Sequence, residues 1–288
     1  MSPKRETYYV YLMAAFAALA VLAVALIFGF VLKEGWPVFS KIGAAEFVFG
    51  GEWSARGGRF GLLPLIAGSF SVVLGALLLG VPAGVITAVF LVEYSPRWLA
   101  GILRPAVDLL AGIPSVVYGF FGIVTILPLM QSRYGGTGMG IAAASIVLAI
   151  MILPTITSIS RDALEAVPGD YRLGGLALGA TQWRTIYNVI VPAASSGIVT
   201  AVILGMGRAI GETMAVYMLL GNTPRFPTSL GRPVSALTSQ IALDMSYASG
   251  VHRTALFGIG VVLLLITAGL VSLGRASARR GVARRGAR

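Results

Sequence analysis

Cysteine is absent from this chain. No disulfide framework, thiolate metal site or cysteine nucleophile is therefore available. Histidine occurs once, as His252, with neither a second histidine nor an acidic cluster beside it in the sequence, a pattern that does not read as a metal site. Charge is scarce: Asp, Glu, Lys and Arg make up 11% of the 288 residues, against about 25% in soluble domains. H-E-x-x-H, G-x-S-x-G and P-loop patterns are missing as well, so no motif marks a hydrolytic or nucleotide-binding centre. The run GGTGMG at residues 135–140 lacks the Lys-Ser/Thr that would follow in a phosphate cradle, and reads as a flexible turn.

What fills the chain instead is apolar: 57% of residues are hydrophobic and the mean hydropathy is +0.86. Crossing a bilayer takes about 20 apolar residues, and six such runs are present, at residues 8–32, 62–92, 106–130, 140–159, 189–221 and 255–273. The expectation is an all-α integral membrane protein with six transmembrane helices. Lys4 and Arg5 precede the first run as in a signal peptide, but a signal-peptide core is only about 7–15 residues long, so the run reads as a retained span. The organisation that follows is a first helix within 1–33, an outer loop at 34–61, a membrane domain at 62–274 and a basic tail at 275–288. Pro82, Pro114 and Pro154 fall inside spans and mark candidate kinks. Asp108, at the mouth of the third span, is a candidate helix cap.

The net charge of +11 arises from Lys and Arg spread through short loops and the tail, which reads as membrane orientation and not as nucleic-acid binding. Six spans place both termini on one side. That side carries thirteen Lys and Arg, six of them in the tail, against eight on the other. The positive-inside rule makes it cytoplasmic.

Two stretches do not fit a plain bundle. Residues 161–188 are too polar to cross the membrane and too apolar for an idle loop. Leu173, Leu176, Ala177, Ala180 and Trp183 recur at helical spacing, which predicts an amphipathic helix over 171–187. That helix either lies on the membrane, packs on its own bundle or docks a soluble partner. The second stretch is GRAIGETMAVYMLLGN, 207–222. Arg208 and Glu212 are four apart, so on a continuous helix they share a face and can pair. Counted from Pro192 at 1.5 Å per residue, Arg208 lies about 24 Å along, past the middle of a core of about 30 Å. A charge there costs about 2.5–3.5 kcal/mol on insertion scales. Gly207 and Gly211 have the G-x-x-x-G spacing of close helix packing. Ser115 and Tyr118, beside Pro114, either line a path or make packing hydrogen bonds.

Gly179 is followed by nine residues and then by Val189, Ile190, Val191 and Pro192. This resembles the "EAA" loop of ABC-importer permeases, whose form is Glu-Ala-Ala, three residues, Gly, nine residues, then Ile-x-Leu-Pro. The leading triplet departs, reading Leu173, Gly174, Gly175, so the usual glutamate is missing. DLLAGIPSVVYGFFG at 108–122 and GRAIGETMAVYMLLGN at 207–222 are similar to the third-span and fifth-span motifs of PstC-type permeases of phosphate-specific ABC importers.

The resemblance implies a type I ABC-importer transmembrane domain with a cytoplasmic coupling helix, in a multi-pass protein of the bacterial plasma (inner) membrane with both termini cytoplasmic. It implies a phosphate permease subunit that forms half of the path and is not an enzyme by itself. The partners it implies are a PstA-type sister permease, an ATPase dimer, an extracytoplasmic phosphate-binding protein and membrane lipid. No cofactor is bound by this chain; ATP and Mg are used by the ATPase. Arg208, Glu212, Thr213, Ser115 and Tyr118 are the implied substrate-path residues, and Leu173, Gly174, Gly175, Gly179, Ala180, Thr181 and Trp183 the implied coupling residues. The alternatives are a sulfate or molybdate permease, the PstA-type sister, or a membrane subunit that signals phosphate status.

Overall fold

Prolines and glycines break the apolar runs in places that hydropathy alone does not mark. The structure, a computed structural model, describes the backbone of residues 3–285 and the side chains of 9–274 and Ala276. The basic side chains of the expected tail lie outside the described residues. In chain order the elements begin with α1 (Pro3–Val38), a π-helical turn (Phe39–Gly43), α2 (Ala44–Phe49) and a hairpin of β1 (Trp53–Ser54) with β2 (Arg59–Phe60), paired antiparallel with Trp53 opposite Phe60. Next come α3 (Leu63–Val89), which runs into a π turn (Phe90–Tyr94), then α4 (Arg97–Ala111) and α5 (Ser115–Phe121). After a third π turn (Gly122–Ile126) follow α6 (Leu127–Tyr134), α7 (Ile141–Glu165), α8 (Gly169–Ala177) and α9 (Gln182–Thr185). A last π turn (Ile186–Ile190) leads to α10 (Val191–Ala193), α11 (Ser195–Gly211), α12 (Met214–Leu220), α13 (Leu237–Asp244) and α14 (Gly250–Arg285).

Among the described residues, five helical stretches are long and apolar enough to span a membrane, six if a helix pair bent by 67° is taken as one span. The expected all-α membrane architecture is present, with corrections. The third span starts at Ser115, not at residue 106, because Pro114 has extended backbone (φ −58°, ψ 139°) and stops α4 from joining α5. Asp108 therefore caps no helix. It sits in the last turn of α4 and accepts a hydrogen bond from Ser158 Oγ at 2.9 Å. α1 continues past Leu32 to Val38, into what reads as a loop from composition. The long loop after Asn222 contains α13, whose Leu237, Thr238, Ser239, Gln240 and Asp244 are buried.

α3 and α7 form the centre of the bundle. In lipid the apolar side chains gain nothing by hiding from water, so close fit and hydrogen bonds hold the helices together. α3 presents Gly75, Gly80 and Gly84 to α7; a Cβ at Gly84 would come within 2.8 Å of Ile156 Cγ2, and one at Gly75 within 2.4 Å of Ser145 Oγ. Into this tight seam two buried hydroxyls of α7 donate to α3 carbonyls, Ser145 Oγ to Val72 at 3.1 Å and Thr157 Oγ1 to Gly84 at 3.2 Å. Gly205 lets α11 close on Ile156 in the same way. α1 and α14 pack together at the side of the bundle, while the most apolar window of α1 is left entirely unburied, as a lipid-facing helix requires.

His252 is not isolated. Its Nε2 lies 3.0 Å from Asp244 Oδ2, and its ring stacks on Phe60 of the hairpin. Buried Asp244 also accepts from Gln240 Nε2 at 2.8 Å and from the Tyr247 hydroxyl. That bond to the carboxylate pushes the Tyr247 pKa up to about 12. The eight-residue separation of Asp244 and His252 hides the pair from a sequence scan, since the turn into α14 folds one over the other.

The helix seam makes a direct prediction. A Cβ at Gly68 would lie 2.1 Å from the Ser235 carbonyl, whereas one at Gly29 of α1 meets nothing within 4 Å. Gly68→Ala should destabilise the protein by about 1–3 kcal/mol through overpacking, and Gly29→Ala should be neutral or stabilising. Thermal unfolding in detergent compares the two; equal midpoints would contradict the packing.

Candidate functional site

The fifth span is not one helix. Its inner limb ends at α10, and after Ala194 the axis turns by 67° into α11. Depth is therefore counted from Ser195, which puts Arg208 about 20 Å along α11, still past the middle of the core. α11 then stops at Gly211. Glu212 is extended (φ −69°, ψ 128°), and α12 restarts at Met214.

This break overturns the expected Arg208–Glu212 pair, because the shared helical face ends before Glu212. The Glu212 carboxylate turns the other way: Oε1 accepts from the Ala215 N–H at 3.1 Å, at the start of α12. Its backbone carbonyl accepts from Thr238 Oγ1 at 2.8 Å. Thr213 Oγ1 donates back to the Gly211 carbonyl at 3.3 Å. Glu212 also lines a small cavity with Ser69, Val73, Ala209 and Thr238.

Arg208 stays in the last turn of α11, where the carbonyl end of the helix favours a cation. Among the described residues it forms neither an ion pair nor a hydrogen bond. Tyr118 of α5 is a buried ring whose hydroxyl donates to the Leu110 carbonyl at 2.7 Å and so ties α5 to α4. Ser115 lies one turn before Tyr118 on α5. Among the described residues the structure thus leaves Arg208 without a bond to Glu212, Tyr118 or Ser115. Gly207 and Gly211 pack against no helix among the described residues: a Cβ at either meets nothing within 4 Å. The G-x-x-x-G spacing leaves open space beside Arg208.

The segment predicted as one amphipathic helix is two, α8 and α9. Gly179 has φ +79° and ends α8 with paired bonds, Gly179 N–H to Leu176 O at 2.9 Å and Ala180 N–H to Gly175 O at 3.2 Å. This is a Schellman end, which needs a left-handed residue where glycine stands. Thr181 then caps α9, accepting from the Arg184 N–H at 3.3 Å. Gly175 lies against Thr185, so the limbs pack closely; Gly174 faces open space. Leu173, Leu176, Leu178 and Trp183 are exposed, and Trp183 stacks on exposed Tyr187 with ring centroids 6.4 Å apart. The result is an apolar and aromatic face beyond the ends of α3 and α7. Sequence reading missed Glu93, Arg172 and Gln182, which tie this segment to α3; their separation in the chain gave no local signal.

Residues 80–281 match the family of binding-protein-dependent transport system inner membrane components. The probable ABC transporter permease protein YqgH of Bacillus subtilis is 44% identical over 227 residues, 77% of this chain and 74% of the relative. The phosphate transport system permease protein PstC of Pasteurella multocida is 33% identical over 291 residues, 94% of this chain and 89% of the relative. Among solved structures, a bacterial alginate ABC transporter in complex with a pentasaccharide-bound periplasmic protein superposes with a TM-score of 0.67 at 14% identity, covering 96% of each chain. The inward-facing MetNI methionine ABC transporter gives 0.57 at 21% identity, over 76% of this chain and 94% of that one. These two likenesses concern the fold alone. By its family match and its relatives over most of its length, this chain belongs to the inner membrane components of binding-protein-dependent transport systems, as a PstC-type permease.

Proposed function

We propose that this chain is the permease subunit of an ATP-driven importer of inorganic phosphate. It supplies half of the path and a PstA-type sister permease the other half. An extracytoplasmic phosphate-binding protein delivers the anion, and a dimer of ATPase subunits, using ATP and Mg, docks on α8 and α9. Both termini and the docking segment then lie on the cytoplasmic side, the side richer in Lys and Arg. The chain binds no cofactor of its own.

The observation that carries this reading is the free guanidinium of Arg208. A permanent cation deep in the membrane needs a counter-charge, and none of the described side chains provides one. The open space at Gly207 and Gly211 leaves room for an anion to approach this part of α11. A guanidinium offers paired donors that match phosphate oxygens and stays charged throughout. Tyr118, Ser115 and Thr213 flank the passage. Glu212 braces the turn into α12, and its negative charge one step from the path favours release over trapping, as a conduit requires.

Two outcomes follow. Arg208→Gln removes charged hydrogen bonds worth about 1.5–3 kcal/mol each, so phosphate uptake should fall by roughly 100-fold while the complex still assembles. Radiolabelled uptake alongside copurification measures both, and unimpaired uptake in an assembled complex would refute the role. Sulfate or molybdate outcompeting phosphate in that assay would point to another oxyanion. Gly179→Val forces a branched residue into left-handed backbone, at about 1–2 kcal/mol, and should weaken ATPase copurification; Gly179→Asn should be milder. No Cβ contact is involved at this position, so equal binding by wild type and both variants would remove Gly179 from the docking surface.

A further inference from the structure

Glu93 stands in the π turn that ends α3, and its side chain is only 7% exposed. Arg172 of α8 grips it with one edge of the guanidinium: Nη2 donates to Oε1 at 2.6 Å, and Nε to Oε1 and Oε2 at 3.1 and 3.3 Å. The same guanidinium donates to the carbonyls of Val167 at 3.0 Å and Leu164 at 3.2 Å, so the end of α7 is held as well. From the other limb, beside α9, Gln182 Nε2 donates to the Glu93 backbone carbonyl at 3.0 Å. One residue of α3 thus holds both limbs of the docking segment. Contacts between apolar side chains can slide; a buried, forked ion pair is directional and does not.

The far end of α3 is tied just as specifically. Ser69 lies 24 residues before Glu93, about 36 Å along the axis, and its Oγ accepts from the Leu237 N–H at 2.9 Å. Gly68, beside it, is pressed against the Ser235 carbonyl. The adjoining Thr238 donates to the carbonyl of Glu212, the residue at which α11 breaks. A continuous run of polar bonds and helix backbone therefore leads from the docking segment to the turn next to Arg208.

We propose that Glu93 is the anchor through which movement of the docking segment is passed to α3, and by α3 to the Glu212 break. Arg172 and Gln182 are its positioning partners. The proposal rests on the permease reading above. It assigns the coupling bond within this chain to a partly buried pair between the end of α3 and α8, apart from the exposed face that meets the ATPase.

The test uses the whole complex in proteoliposomes, with phosphate as the cargo. In Glu93→Gln and Arg172→Lys the ATPase should copurify as with wild type, while phosphate moved per ATP hydrolysed falls about tenfold or more. An unchanged ratio overturns the proposal, including the case in which complex yield and melting temperature drop but the ratio holds, since that marks a purely structural pair. A second measurement needs no loss-of-charge variant. The absence of cysteine allows spin labels on cysteines introduced at Asp170 and Tyr94. Their separation should be the same without nucleotide and with ATP bound, because the segment and α3 move as one body; a separation that changes on ATP binding overturns the anchor. A wild-type complex that hydrolyses ATP yet moves no phosphate would contradict the substrate reading instead, and the label distance would still decide on Glu93.

Discussion

The bond from the Glu212 carboxylate to the Ala215 N–H fixes the part of this molecule on which the rest depends. Holding that carboxylate at the start of α12 allows α11 to end one turn after Arg208, with Glu212 in extended backbone. The break removes the side chain that would otherwise neutralise the arginine, and it exposes a backbone carbonyl that Thr238 takes up. A continuous helix would have paired the two charges and closed the site. A broken one leaves the cation without an ion pair among the described residues, on a helix with open space at Gly207 and Gly211.

That local break is tolerable because the bundle around it is tightly fitted. The glycine notches of α3 seat α7 closely enough for Ser145 and Thr157 to bond across the seam. α3 itself spans the bundle as a rod with a polar tie at each end, Glu93 at one and Ser69 at the other. The chain turns outside it, by 67° before α11 and through left-handed Gly179 between α8 and α9.

Much of this was legible in the sequence, for physical reasons. Apolar runs of span length report lipid directly: five of the six match helices of span length, and the other matches a bent helix pair. The segment of α8 and α9 was marked by its mixed polarity and by Gly179, whose left-handed backbone only the structure displays. Hydropathy is blind to direction, however. It ran α4 into α5 across Pro114 and drew the fifth span as one helix, because Ala194 and Glu212–Thr213 interrupt backbone geometry without interrupting apolar composition enough to show. Spacing rules then misled in proportion: i and i+4 predict contact only on an unbroken helix, which Arg208 and Glu212 do not share. Partners distant in sequence, Asp244 with His252 and Glu93 with Arg172, carry no local pattern at all.

The separation of Arg208 from Glu212 is open to one direct measurement, a double-mutant cycle on the stability of the purified complex with Arg208→Gln, Glu212→Gln and the double variant. Gln at 212 keeps an oxygen for the Ala215 N–H, so the cycle isolates the charge–charge interaction. If the two side chains are unpaired, the single effects add to within about 0.5 kcal/mol. A coupling energy above about 1 kcal/mol would show that they pair across the break, and the free guanidinium would be lost from the account.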